Sequence, residues 1–115
     1  MIAHVVLFRE RAEVTVEDRR ALSRALQNAH SQIPSVRRFL VGRRVRHGRP
    51  YEQLMTQDFG YAAVVEFGDV DGLEAYLNHP AHEDLARLWA SLSEATLVYD
   101  YEMRDAADAA AVLGV

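Results

Sequence analysis

The sequence contains no cysteine, which excludes disulfide bonds, thiolate metal sites and cysteine nucleophiles. It also has no internal repeat and no long hydrophobic run. The apolar N-terminus, MIAHVVLFRE, is too short and wrongly charged at its start for a signal peptide or a membrane span. No membrane association is therefore predicted, and a cytoplasmic location is the expected default.

Positive charge comes from arginine alone, because none of the 13 basic residues is lysine. Six of these arginines lie between Arg37 and Arg49, a density that is typical of nucleic-acid-binding surfaces. The net charge is −4, however, and the cluster follows an alternating apolar pattern without any nucleic-acid-binding motif. A solvated strand edge and loop is the favoured interpretation. No nucleic-acid partner is predicted, and the contacts of the cluster stay open.

Length and composition fit one domain, since the chain has 115 residues, of which 50% are hydrophobic and 26% charged. The predicted domain covers residues 1–103. Residues 104–115 form an alanine-rich tail whose order the sequence leaves open. A domain of this size leaves much of its apolar surface poorly covered, so self-association is plausible.

Hydrophobic periodicity predicts strands at residues 2–8, 36–46, 61–67 and 96–103. One helix is expected between its N-cap, Thr15, and Pro34. A short helix over residues 70–77 and a longer one from Pro80 to about Glu94 follow the third strand. Residues 47–59 are predicted to be an irregular loop. The order β-α-β-β-α-β predicts a ferredoxin-like α+β sandwich with a four-stranded antiparallel sheet.

Both faces of the predicted sheet are apolar. One face of the first strand carries Ile2, Val6 and Phe8, while the other carries Ala3, Val5 and Leu7. An antiparallel sheet with one solvated face should instead alternate apolar and polar residues. A second copy of the chain is the simplest cover for the second face. The pattern therefore predicts a homodimer closed into an α/β barrel, with apolar pockets inside or beside it.

The stretch AYLNHPAHEDL, residues 75–85, contains two histidines next to a predicted helix start. Pro80 suits the first helical position, and either Asn78 or His79 can cap the helix. A capping hydrogen bond accounts for His79, so a structural role is favoured for it. At a helix N-terminus the cationic form of His82 is disfavoured, so His82 should be neutral near pH 7 and able to accept a proton. A plain surface position is the alternative.

Several segments resemble the stress-responsive α/β-barrel (Dabb) domain family: MIAHVVLF, IPSVRRFLVGRRV, GYAAVVEF, AYLNHPAH and the terminal VYDYEM. The resemblance spans roughly residues 1–103 and implies a dimeric ferredoxin-like barrel. Most members have no assigned activity. One plant member closes a linear polyketide by aldol condensation without a cofactor, using a tyrosine and a histidine. Its tyrosine corresponds to Tyr76, its catalytic histidine to His82 and its first-strand histidine to His4.

The resemblance implies a specific chemistry, for which no cofactor is expected. A neutral His82 would remove a proton from a carbon between two carbonyls, and the Tyr76 hydroxyl would donate a hydrogen bond to the oxygen that gains charge. Because the break at Pro80 separates these residues, only tertiary structure can bring them together. His4 should lie on an apolar sheet face, as a hydrogen-bonded core residue or a cavity wall. Further candidate walls, each also explicable as ordinary core, are Leu26, Val65, Trp89 and Leu92.

Differences from the family pattern keep the substrate open. The segment of residues 47–59 has extra length before the third strand. Leu26 and Leu92-Ser93 stand where the plant member that cyclises a polyketide has aromatic side chains. Three functions remain: a cofactor-independent cyclase or lyase acting on a polyketide-like molecule, a non-catalytic dimer that binds a small apolar ligand or acts in stress protection, and a cofactor-free monooxygenase.

No metal site is predicted. The sequence HPAH is not a zinc motif, and the two histidines have no partner at a recognisable ligand spacing. A hard cation at the dimer interface stays open, because some relatives are seen with magnesium.

Overall fold

The computed structural model describes residues 1–115 and contains one four-stranded sheet in the order β2-β3-β1-β4. All neighbouring strands are antiparallel. The strands are β1 (Ile2–Glu10), β2 (Arg38–Arg43), β3 (Tyr61–Phe67) and β4 (Ser93–Glu102). One face of the sheet packs against α1 (Val16–Gln32), α3 (Val70–Leu77) and α4 (Pro80–Leu92). The predicted ferredoxin-like α+β sandwich is confirmed.

Side chains at the helix N-termini fix where the two long helices begin. Thr15 Oγ1 accepts a hydrogen bond from the Asp18 N–H at 3.1 Å, and the Asp18 carboxylate accepts one from the Thr15 N–H at 2.9 Å. This reciprocal pair satisfies two N–H groups that the helix cannot pair itself. At the start of α4, His79 Nδ1 accepts from the Ala81 N–H at 3.0 Å, and Pro80 follows at the first helical position. The capping role expected for His79 is thus observed.

The predicted irregular loop is wrong in one respect, because it contains a short helix, α2 (Pro50–Leu54). Proline sets the helical φ at its first position. The Glu52 carboxylate then accepts hydrogen bonds from the N–H groups of His47, at 2.8 Å, and Gly48, at 2.5 Å. Gly48 has a φ of +75°, which favours glycine at this turn.

Several element ends also differ from prediction, and β1 extends to Glu10 rather than ending at residue 8. β2 is shorter than residues 36–46 because its last pair with β3 is Arg43 with Tyr61, the first residue of that strand. α4 ends at Leu92 rather than near Glu94. β4 begins there, at Ser93, with its N-terminal residues paired to the end of β1.

The core lies between the helices and the sheet face that carries His4. In the antiparallel register His4 lies opposite Val65, and Val65 lies opposite Phe39, so these side chains share that face. The buried cluster includes Phe67 and Tyr76, whose exposed fractions are 0% and 2%.

The other sheet face has no cover within the chain. It carries Val5 and Leu7 of β1, which pair with Tyr99 and Leu97 of β4. Leu40 and Tyr99 on this face are 45% and 51% exposed. The predicted two-sided apolar character of the sheet is therefore present in the structure.

After β4 the chain forms a 3-10 turn (Ala106–Asp108) and a short helix, α5 (Ala109–Leu113), which together form an exposed helical tail. No helix anywhere in the chain combines the length and the apolar character needed to cross a bilayer.

Candidate functional site

A cavity of about 320 Å³ lies between the sheet and α4. Apolar side chains form most of its walls, and the rings of His4 and His82 both lie beside that of Tyr76. The structure brings together six of the seven predicted site residues around this cavity: His4, Leu26, Val65, Tyr76, His82 and Trp89.

Tyr76 lies on α3 and is buried against the sheet, with its ring centroid 5.2 Å from that of Phe67. The His82 and His4 rings flank it at 4.6 and 5.7 Å between centroids. Burial raises the pKa of Tyr76 and is the only influence on it, since no neighbouring group supplies a charge or a hydrogen bond. The phenol is therefore a neutral donor whose partner is missing within the chain.

The His82 side chain, at the start of α4, contacts the last residue of α3 across the break between the two helices. Its Nδ1 lies 3.1 Å from the Leu77 carbonyl oxygen. Because a carbonyl oxygen can only accept a hydrogen bond, Nδ1 carries the proton, and Nε2 of the neutral ring keeps its lone pair. Burial lowers the pKa of His82, and nearby His4 lowers it further, against opposing effects of the Leu77 carbonyl and Glu83. His82 is thus a neutral base in contact with a neutral phenol.

The lowered pKa of His82 predicts a pH-dependent loss of stability. In the unfolded chain His82 titrates near its ordinary value of 6.5, whereas the folded chain resists protonation. As the pH falls below 6.5, the unfolded state binds a proton that the native state does not, so the free energy of unfolding falls. Urea unfolding of the wild type and of His82→Gln at several pH values should show a steeper loss in the wild type. Equal slopes would contradict the prediction.

His4 is held by a carboxylate that the sequence patterns did not single out. Its Nδ1 lies 2.6 Å from Asp100 Oδ1, and the side chains of His4 and Asp100 are 6% and 41% exposed. The carboxylate fixes the orientation of the ring, because Nδ1–H donates to it. Asp100 lies directly opposite His4 in the β1–β4 register. The signal in the sequence was an acid between Tyr99 and Tyr101 of a predicted strand, but only the register shows which residue it faces.

Leu92 does not line this cavity. It lines a larger cavity of about 510 Å³ at the neighbouring end of the sheet. Leu26 and Trp89 line both cavities. The Trp89 ring packs on Phe8 with 4.6 Å between centroids, and its Nε1–H is buried without an acceptor. A buried donor left unpaired costs about 1–3 kcal/mol, so an oxygen of a bound molecule would relieve a real penalty there.

His4 has one carboxylate neighbour, Asp100, and the chain has no cysteine. No group of three or more histidine, aspartate, glutamate or cysteine side chains is close enough to hold a metal ion.

Comparison with known proteins identifies the family. The family model described as "Stress responsive A/B Barrel Domain" matches residues 2–103, which is most of the chain. Among characterised proteins, the olivetolic acid cyclase of Cannabis sativa is 25% identical over 105 residues, covering 90% of this chain and 97% of the cyclase.

Solved structures with the same fold extend the comparison. A dimeric protein of unknown function from Bacteroides fragilis has a TM-score of 0.64 and 25% identity, covering 89% of this chain and 95% of its own. A hydroxynitrile lyase from Passiflora edulis has a TM-score of 0.77 at 15% identity, with 90% and 94% covered. A cofactor-independent oxygenase from Streptomyces nogalater has a TM-score of 0.64 at 17% identity, with 90% and 93% covered. The last two are similar in fold alone.

Proposed function

Because the chain belongs to the stress-responsive A/B barrel domain family, we propose that it is a cofactor-independent enzyme of cyclase or lyase type. Its substrate is a polyketide-like small molecule, and its reaction begins with removal of a proton next to a carbonyl. One observation carries the proposal: the ring of a neutral His82 lies 4.6 Å from the ring of Tyr76, whose hydroxyl has no hydrogen-bond partner, and both rings line one apolar cavity.

The proton transfer balances within this pair and the substrate. His82 Nε2 takes a proton from the carbon between two carbonyls, and the electron pair of the broken C–H bond moves onto a carbonyl oxygen as an enolate. The Tyr76 hydroxyl donates a hydrogen bond to that oxygen. The enolate carbon then attacks a second carbonyl carbon of the same molecule. The imidazolium returns its proton to the alkoxide that forms.

The remaining walls suit a molecule with few polar groups. Leu26 and Val65 offer only apolar contacts, while the buried Trp89 Nε1–H is a second donor near the same cavity. A β-dicarbonyl compound has two oxygens, which two unpaired donors would match. Asp100 keeps the His4 ring fixed in the wall, so that the cavity holds its shape beside Tyr76.

The uncovered sheet face extends the proposal to a homodimer. Its exposed apolar residues form a contiguous surface across the sheet, of a kind that marks association sites. The likeness to the Bacteroides fragilis protein, which is described as dimeric, supports a second copy as the cover. An isologous contact of this kind would close two sheets into one barrel.

A charge on this face should separate the subunits. Leu97→Asp places a carboxylate opposite Leu7 on this face, so we expect particles of one chain instead of two. The control is Leu54→Asp, because Leu54 is 74% exposed on α2 and away from the sheet. Multi-angle light scattering at matched concentrations measures the mass. A wild type that is already monomeric would refute the dimer.

The test of the reaction uses solvent deuterium. The wild type is incubated in deuterated buffer with β-polyketide thioesters and simple β-keto esters, and mass spectrometry follows label at the carbon between the carbonyls and any ring product. We expect incorporation above the buffer rate. Ala86→Trp should suppress it, because exposed Ala86 lines the cavity, whereas Arg87→Trp, one residue further along α4, should not.

The same assay separates the alternatives. Absence of incorporation with every compound, or equal incorporation in both tryptophan variants, would refute proton abstraction in this cavity. Binding of the compounds without exchange would favour the non-catalytic ligand-binding dimer. Oxygen consumption with a phenolic compound would favour the oxygenase, which at present is supported by likeness of fold only.

A further inference from the structure

The larger cavity lies at the end of the sheet where Phe8, Tyr61 and Arg43 stand opposite one another on neighbouring strands. Its volume is about 510 Å³, which is in the range of sites that hold small molecules. Apolar side chains line it from the sheet and from both long helices, among them Leu22, Leu26, Val41 and Trp89.

Five arginines line this cavity or the cleft beside it, and all but one are paired. Arg19 Nη2 lies 2.6 Å from Glu10, and Arg9 Nε lies 3.0 Å from Glu94. Two further arginines share Asp58, with contacts of 2.6 Å from Arg44 and 2.5 Å from Arg46.

Arg43 makes no ion pair and no side-chain hydrogen bond, although it lines the apolar cavity and also an adjoining arginine-rich cleft of about 340 Å³. The one acid that lines both spaces beside it, Glu10, is held by two hydrogen bonds from Arg19, at 3.1 and 2.6 Å. The rim therefore keeps one unmatched positive charge next to an apolar interior.

We propose that the larger cavity binds an amphipathic carboxylate, with its apolar chain against the cavity walls and its carboxylate on the Arg43 guanidinium. A guanidinium presents two parallel N–H groups that match the two oxygens of a carboxylate. The chain is drawn in because the walls offer apolar contact and few polar groups. This binding does not require the proton transfer assigned to His82, since neither His82 nor Tyr76 lines the larger cavity.

Trp89 provides the readout, because it is the only tryptophan and lines the cavity. Its fluorescence is followed while decanoate or decanol is added below the concentration at which either forms aggregates. We expect a saturable change with decanoate and weaker binding of decanol, which has the same chain without the charge. Arg43→Gln should weaken decanoate binding by about tenfold, which corresponds to loss of one charge-assisted contact, and leave decanol unchanged.

The control is Arg24→Gln, because Arg24 is exposed on α1 and does not line the cavity. Equal decanoate affinity in the wild type and Arg43→Gln, or decanol binding as tightly as decanoate, would overturn the proposal. His82→Ala should bind decanoate as the wild type does. Decanoate binding without deuterium incorporation would therefore reject the proposed reaction and keep the carboxylate site.

Discussion

Substitution of His82 by alanine is expected to lower deuterium incorporation by about 10²- to 10⁴-fold, which is the usual contribution of a positioned general base. The substitution removes the unpaired Nε2 of a ring whose centroid lies 4.6 Å from that of Tyr76. It should leave the fold intact, because the half-buried ring makes a single hydrogen bond, to the Leu77 carbonyl. Loss of one such bond costs about 1 kcal/mol. Rates per chain are compared at saturating substrate and at pH 7.5.

His79, the other histidine of the sequence HPAH, provides the matched control. His79→Ala removes the N-cap of α4, so we expect it to destabilise the fold by about 1 kcal/mol. Its proton-transfer rate should fall far less than that of His82→Ala, because His79 does not line the cavity. Similar losses in the two variants would show that stability, not chemistry, controls the rate. A His82→Ala rate equal to wild type would remove His82 from the site.

Local sequence signals predicted a strand or helix best where glycine, proline or an N-cap residue stood at both of its ends. The third strand, YAAVVEF, is bounded by Gly60 and Gly68 and was predicted with its observed limits. Helix α1 was likewise fixed by Thr15 at its start and the approach of Pro34 at its end. The predicted limits of β2 were wrong, because a strand ends where its pairing partner ends and tertiary structure determines which strands pair.

Six of the seven residues predicted for the candidate site line one cavity, but the geometry of that cavity was not predictable from the sequence. Tyr76 and His82 came from resemblance to the family, since the break at Pro80 hides any helical spacing between them. The hydrogen bond between His4 and Asp100 joins residues 96 positions apart, so no local pattern could reveal it. Leu92 was placed with the other walls by its apolar character alone. Whether it lines the smaller or the larger cavity depends on which face of α4 meets the sheet, near the last turn of the helix.

Substitution of Tyr76 by phenylalanine is expected to separate stability from activity. The hydroxyl has no hydrogen-bond partner in the chain, and phenylalanine keeps the ring packed on Phe67. The free energy of unfolding should therefore stay equal or rise by up to about 1 kcal/mol. Deuterium incorporation should nevertheless fall by about 10²- to 10³-fold, the usual loss when one donor to a developing oxyanion is removed.

Two measurements decide the role of Tyr76: urea unfolding at pH 7.5 and the deuterium rate at the same pH. The control is Tyr51→Phe, because Tyr51 is exposed and its hydroxyl contacts only the loop residue His47, at 2.7 Å. A stable Tyr76→Phe with an unchanged rate would mean that the phenol is core and the oxyanion lies elsewhere. A marked loss of stability would mean that the hydroxyl has a partner in the native assembly, such as a residue of the second subunit. Stability and rate should respond differently because the unpaired hydroxyl adds no hydrogen bond to the empty protein and is a ready contact for a reacting oxygen.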